Sequence, residues 1–360
     1  MKNIILSLKT THIGSLPFED PEKAVDLILE YVDIPAWPQL SKFKNENMLI
    51  QFNKDLPGFN KEKEIIDIAS SKFEEELVKF YEIYFKIIKK RNLDFLSNFL
   101  LSENYAKGFK IFLDKVQTFN FSIVKGQITG PFTLATNLKT QTGEIAIFIE
   151  DLKDLIVKFL TIKALAQALE LKNISSKVII FLDEPGLARF GLSSFVTISA
   201  DMVISMLNEI IEILNEFEIL TGIHVCANTS WDIVLDSKAN ILSFDSFNFY
   251  DKLITYKENL KRFIKNENKY LAWGVVPTNN ETLKNINLKK IIHKFEFQLT
   301  NLSSLLDISE EEILKRSLFT PACGLGSLSN TLSIKALNLL KSFKSFIIGG
   351  KNEYSRLCFN

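Results

Sequence analysis

Lys177-Val178-Ile179-Ile180-Phe181-Leu182 runs directly into Asp183-Glu184-Pro185-Gly186. After its first residue the run has no polar alternation. A strand buried on both faces reads this way, and burial on both faces is typical of parallel sheets. Long helical patterns flank it at Ile145–Leu171 and Ser199–Glu218. Helix, strand and helix in that order are the signature of βα units around a parallel sheet.

The same alternation recurs in both directions along the chain. Eight candidate strands can be read: Ile4–Lys9 running into Thr11-His12-Ile13-Gly14, Asp33–Trp37, Phe121–Thr129, Lys177–Leu182, Gly222–Ala227, Ile241–Phe244, Leu271–Val276 and Leu318–Cys323. Further helical stretches are Pro21–Tyr31, Glu62–Arg91 and Leu332–Phe346. In the first of these Asp20 suits the cap and Pro21 the first helical position. Eight units in 360 residues leave about 45 residues each, room enough for a strand, a helix and their loops. The count predicts an α/β fold in the form of a single closed (β/α)8 TIM barrel rather than an open doubly wound sheet.

One spacing stands out. Roughly 80 residues separate the second and third strands, where a crossover usually needs a few tens. The stretch Lys61–Thr118 carries a helical pattern with Phe73, Leu77, Phe80 and Tyr84 on its apolar side. It predicts a helical insertion over about residues 57–120, either packed on the outer helices or closing over the barrel rim. No Pro/Gly/Ser-rich linker, internal repeat or low-complexity tract interrupts the chain, so residues 1–360 read as one domain.

Composition narrows the function. Lys+Arg and Asp+Glu number 43 each, for zero formal charge. Nothing in the sequence resembles the basic stripe a nucleic-acid binder needs. With 46% hydrophobic and 24% charged residues, the chain can bury a large core and is not disordered. No apolar run approaches the ~18 residues of a membrane span. The N-terminus offers only Ile4-Ile5-Leu6 after Met1-Lys2-Asn3, too short for a secretory signal. The three cysteines Cys226, Cys323 and Cys358 make no disulfide framework. The expectation is a cytoplasmic protein with reduced thiols.

Chemistry concentrates where strands end. In Gly222-Ile223-His224-Val225-Cys226-Ala227-Asn228, strand alternation puts His224 and Cys226 on one face about 7 Å apart. Both fall at the C-terminal end of a strand, the face where barrel enzymes keep their sites. Cys323 ends another strand in Thr320-Pro321-Ala322-Cys323-Gly324. Imidazole and thiolate together suit zinc. The competing reading makes both cysteines small buried hydrophobes and His224 a satisfied core histidine. Asp245, at the end of Leu242-Ser243-Phe244-Asp245, is either a fourth ligand or a helix N-cap. Of the adjacent acids Asp183 and Glu184, alternation lets one face the mouth, to bind an ammonium or act as acid or base. The other pairs with a basic group or caps a helix. In Thr11-His12-Ile13-Gly14-Ser15-Leu16-Pro17, free amides after the strand can receive a carboxylate, although a plain tight turn reads the same way. His12 reads as structural, the glycines of Gly126–Phe132 as packing positions, and His293 as a residue on a helical run with no chemical role.

Taken in order, these motifs resemble the superfamily that joins cobalamin-independent methionine synthase, uroporphyrinogen decarboxylase and the corrinoid-dependent methyltransferases. Thr11–Pro17 is similar to the methionine synthase segment that holds homocysteine by backbone amides and a serine, which implies Ile13, Gly14 and Ser15 as substrate-binding. Asp183-Glu184-Pro185 is similar to the Asp-Glu-Pro motif whose aspartate meets the substrate amine. His224-Val225-Cys226 and Pro321-Ala322-Cys323-Gly324-Leu325 are similar to its zinc motifs, and Gly130–Leu134 and His224–Asn228 also resemble the corrinoid enzymes. The resemblance runs through nearly the whole chain and implies a (β/α)8 barrel with His224, Cys226, Cys323 and Asp245 on Zn²⁺. Asp245 would stand where methionine synthase has a glutamate.

The departures are as informative. The chain is about half as long as the two-barrel methionine synthases, without the barrel that helps hold folate. The His-Ser-Pro proton donor is replaced by Trp273-Gly274-Val275-Val276-Pro277-Thr278. Near Asn45–Met48, Lys42 stands where a glutamate would bind the substrate amine, and would attract a carboxylate instead. The arginine-rich N-terminal signature of the decarboxylase is missing. The implied activity is zinc-dependent methyl transfer to a homocysteine-like thiol, with a methylcorrinoid rather than methyl-folate as donor. A corrinoid protein is then a candidate partner. Two other readings are a metal-free lyase and a non-catalytic barrel that binds a thiol or corrinoid.

Overall fold

The computed structural model describes residues 6–349. Ile4, Ile5 and Cys358 therefore lie outside the described residues. Six strands, β1 (Ile123–Thr129), β2 (Lys177–Asp183), β3 (Leu220–Val225), β4 (Ile241–Phe244), β5 (Tyr270–Val276) and β6 (Ser317–Pro321), form one sheet in chain order. All five pairings between neighbours are parallel. Helices follow the strands, as at Glu150–Lys172 and Ala200–Glu216, so the chain has an α/β fold. Among the described residues, no helix is long and apolar enough to cross a membrane.

The sheet curls. Single parallel bridges join Thr10 to Phe319 on β6, Thr11 to Ile34, and Ala36 to Lys125 on β1. Pairing thus runs from one edge of the sheet to the other through residues 10–11 and 34–36. Where the sequence predicts two further regular strands, the structure has only these bridges. In Asp33-Ile34-Pro35-Ala36-Trp37-Pro38 two prolines remove ladder donors. Upstream, Leu8 adopts a left-handed φ of 58°, which breaks the extended run. Ser15–Leu16 then pairs in parallel with Gln39–Leu40 and ties the two segments together at the mouth.

Alternation along β2 shows how the sheet is packed. Ile179 and Phe181 join Leu6, Ile34, Ile123, Ile241, Ala272 and Leu318 in a small core enclosed by the curled sheet. Val178, Ile180 and Leu182 face the other way, into the large core under the helices. Each such side chain contributes about 1.5–3 kcal/mol when fully buried. That is why the β2 run is apolar on both faces.

Residues 57–120 are less helical than their pattern predicts. Phe59–Asn60 pairs with Ile65–Ile66 in a short antiparallel hairpin. Gly58 and Glu64, with φ of 73° and 55°, turn the backbone there. The helix starts only at Phe73 and runs to Ile88, and Lys107–Val116 forms a second. Phe80 packs its ring 5.7 Å from Phe159, and the Tyr81 hydroxyl donates to Asp154 at 2.6 Å. The helix Phe73–Ile88 therefore lies on the outer helix Glu150–Lys172.

Candidate active site

Strand register builds the site. Thr129 pairs with Asp183, Asp183 with His224, and His224 with Ser243, so four side chains stand side by side at the C-terminal edge of β1 to β4. Cys226 comes just after β3 and Cys323 just after β6. The ligand atoms of His224, Cys226 and Cys323 all lie within 4.8 Å of one another. The two motifs, remote along the chain, meet at one point.

The residues present fit a metal. The His224 ring is buried, and its Nδ1 sits 2.9 Å from Ser243 Oγ. With the proton on Nδ1, Nε2 presents a lone pair. Nε2 is buried and has no hydrogen-bond partner among the described residues. A satisfied core histidine would not leave it so, since an unpaired buried polar atom costs about 1–3 kcal/mol. Neither cysteine is fully buried, which counts against the reading of both as core hydrophobes. The contact with Cys323, and then His224, pulls the Cys226 thiol well below its usual range, while the same contact and burial push Cys323 up. One imidazole and two sulfurs form a soft set that suits tetrahedral zinc, with a position left over.

A cleft of about 550 Å³ opens beside the three, lined by Ile13, Ser15, Gln39, Glu46, Thr129 and Asp183 among others. Asp183 Oδ1 is buried without a partner among the described residues, and burial raises its carboxyl pKa while His224 and Lys125 oppose the rise. Glu184 turns away. Its oxygens accept from the Phe132 and Thr133 amides, so it caps the helix Pro131–Asn137 of the preceding βα unit. His12 is structural in the sense expected: it is buried, with Nε2 3.0 Å from the Ala36 carbonyl oxygen. His293 is exposed on the helix Leu288–Leu306.

Two expected site residues are not part of that constellation as described, though His224 and Cys226 still act on the Asp245 carboxyl. Asp245 is the N-cap of the helix Ser246–Leu253, and both its oxygens accept from Asn248, at 2.9 and 2.7 Å. Of the two uses open to it in sequence, the fold employs the cap, and Asp245 is not among the three clustered ligands. Lys42 is exposed and does not line the cleft, although Ser41, Phe43 and Lys44 around it do.

Ser15 links the substrate segment to the metal segment. Its carbonyl accepts from Leu325 at 2.9 Å and its hydroxyl from Gly326 at 3.3 Å. A Cβ on Gly324 would lie 2.1 Å from that hydroxyl, so a side chain after Cys323 would turn the Ser15 hydroxyl out of its place. Sequence reasoning missed Gln39 and Lys125. Gln39 had no signal. Lys125 had one, a single cation in the otherwise uncharged run Ile123–Thr129.

No family model matches the chain, and no curated relative does. Among solved structures it is similar to a B12-independent methionine synthase from Shewanella sp. W3-18-1 in complex with selenomethionine. That match has 18% identity over 66% of this chain and 67% of the other, with a TM-score of 0.45. It is also similar to a fungal β-1,4-galactanase, at 16% identity over 66% of this chain and 67% of the other, with a TM-score of 0.23.

Proposed function

We propose that this chain is a zinc-dependent S-methyltransferase that moves a methyl group to a homocysteine-like thiol in the cytoplasm. In this reading residues 1–360 are one (β/α)8 barrel with a helical insertion at about 57–120. The observation that carries it is the convergence of His224, Cys226 and Cys323 within 4.8 Å beside a cleft. These three would hold the ion, and Asp245 keeps its place at the helix end. Zinc, when bound, stabilises a thiol as its nucleophilic thiolate, of which only a few per cent exists at pH 7 otherwise.

The chain's own residues bind and orient the substrate. Asp183 offers a buried, unpaired oxygen to the ammonium of an amino-acid thiol. Ile13, Gly14 and Ser15 offer backbone amides to its carboxylate. Lys42, exposed between cleft-lining neighbours, draws anionic groups toward the entrance. With both ends held, the sulfur is aligned for in-line attack, which positioning alone can accelerate strongly. The donor is a methylcorrinoid, carried by a corrinoid protein, rather than methyl-folate. A corrinoid leaving group takes no proton, and Trp273–Thr278 offers no side chain that titrates near neutral pH.

Purified protein should hold close to one zinc per chain, falling sharply in Cys226→Ser and Cys323→Ser. It should methylate homocysteine from methylcobalamin. Unchanged zinc in both variants, or turnover with methyl-folate alone, overturns the reading.

A further inference from the structure

Lys125 lies wholly buried at the middle of β1, inside the curled sheet and beneath the cleft. A buried ammonium is costly, and long charged side chains are almost never fully buried unless paired. Its partners are specific. Nζ donates to the Ile13 carbonyl at 2.8 Å and to Gln127 Oε1 at 3.1 Å, and lies 4.5 Å from the centre of the Phe181 ring. Gln127 is fixed in turn, its Nε2 donating to the Trp37 carbonyl at 3.0 Å. The acid it acts on electrostatically is Asp183, without an ion pair between them among the described contacts.

The Ile13 contact has a geometric consequence. No peptide bond among the described residues is cis. In a planar trans peptide the carbonyl of one residue and the N–H of the next point in opposite directions. A lysine that draws the Ile13 oxygen down into the barrel therefore turns the Gly14 N–H the opposite way, between the cleft-lining residues Ile13 and Ser15. Gly14 donates to no acceptor among the described residues. Its place also excludes any side chain, because a Cβ there would lie 2.6 Å from Gln39 Oε1 and 2.9 Å from Gln127 Cδ. The loop is pressed onto the side-chain amides of Gln39 and Gln127, the second of which holds Lys125, leaving one outward N–H above the buried lysine. That combination receives an anion.

We infer that Lys125 is a positioning residue that aims the Gly14 amide, and so makes the cleft selective for thiols bearing a carboxylate beside the amine. This deepens the proposed function: the methyl-transfer reading supplies the thiol, and Lys125 sets which thiols fit. Lys125 touches no substrate. It acts through the Ile13–Gly14 peptide.

The test compares homocysteine with 3-aminopropane-1-thiol, the same molecule without its carboxylate, by calorimetric titration of the zinc-loaded protein. The S-methyl thioethers of both serve as probes that need no metal. The wild type should bind the carboxylated member of each pair at least tenfold more tightly. Lys125→Met should shrink that preference to threefold or less, because any change it transmits through Asp183 to the shared ammonium falls on both members and cancels in the ratio. A merely structural role would weaken both alike. Lys125→Gln, smaller and polar, repeats the comparison should the methionine variant not fold. Preference retained in either folded variant, or equal loss for both ligands, overturns the inference, as does a wild type without the preference. Zinc content, read on the same samples, stands apart: its absence overturns the metal reading while the thioether pair still decides on Lys125.

Discussion

Glu184, at the end of β2, holds the amide of Thr133 at 2.7 Å, so an acid from one βα unit closes the helix of the unit before it. Phe132 N–H, at 2.9 Å, and the Thr133 hydroxyl share the same carboxylate. Gly130 makes room for it, since a Cβ there would lie 2.2 Å from Glu184 Cδ. Glu184→Ala strips three donors of their acceptor inside the core and should cost about 3 kcal/mol. Gly130→Ala should be as damaging because neither the buried carboxylate nor the backbone can retreat. Urea denaturation measures both. A loss under 1 kcal/mol in the first would mean that water replaces the cap.

The parts of this molecule that were legible in sequence are those where one residue type answers to one local demand. β4 begins and ends at Ile241 and Phe244 as its apolar pattern indicates, and the helix Pro21–Tyr31 has its expected Asp20 cap. His224, Cys226 and Cys323 could be singled out because the chain has only three histidines and three cysteines. What could not be read depends on partners far along the chain. Nothing near Asp245 distinguishes a ligand from a cap, because both uses want an acid after a strand. Gln39 enters the cleft through its pairing with Ser15, and the hairpin at Phe59–Ile66 rests on left-handed backbone at Glu64, a conformation a glutamate does not advertise. Pro35 and Pro38 were visible as prolines, but their effect on the second strand shows only once its neighbours are placed.

Ser243 is the outer support of the proposed metal site. Its hydroxyl holds His224 Nδ1 at 2.9 Å and so fixes which way the ring faces. Ser243→Ala should leave the fold intact and weaken zinc binding about 10- to 100-fold, the usual cost of losing such a partner. Competition against a chromogenic chelator reads this directly. An unchanged affinity would mean that packing alone orients the ring.

Asp245 gives a second, sharper test of the ligand set. Asparagine is as good an N-cap as aspartate but carries no charge, whereas alanine loses the cap. Asp245→Asn should therefore keep both its zinc and its stability, while Asp245→Ala should lose about 1 kcal/mol. A fall in zinc content in the asparagine variant would return Asp245 to the coordination sphere.

The contact between Ser15 and the glycines after Cys323 couples substrate loop to metal loop. Gly324→Ala would set a methyl 2.1 Å from Ser15 Oγ and turn that hydroxyl away from the Gly326 amide it accepts from. Alone it should lower thiol binding and zinc content together. Combined with Ser15→Gly, which removes the obstructing hydroxyl, most of the zinc should return. The recovery in such a double-mutant cycle measures the coupling. Additive losses would show that the two loops act independently.

Asp33 ties the first bridged segment to the C-terminal helix, and its titration gives stability a defined acid limit. Burial raises its carboxyl pKa, but the Lys344 ammonium and the Thr10 amide and hydroxyl outweigh that and hold it below the usual 3.8. A depressed folded value means that the unfolded chain binds the proton first as pH falls. The stabilisation is therefore complete above about pH 4 and is lost as pH falls through the folded value. Lys344→Met removes the ammonium and leaves the burial. The variant should be less stable by about 1 kcal/mol at pH 7, the scale of a partly exposed pair. The gap to wild type should narrow as pH falls from about 4 through the folded value, and close once both proteins carry a protonated Asp33. Urea midpoints across that range supply the check. A gap that stays constant down to pH 2 would show that Lys344 stabilises by packing its chain against the helix, with no part for the charge.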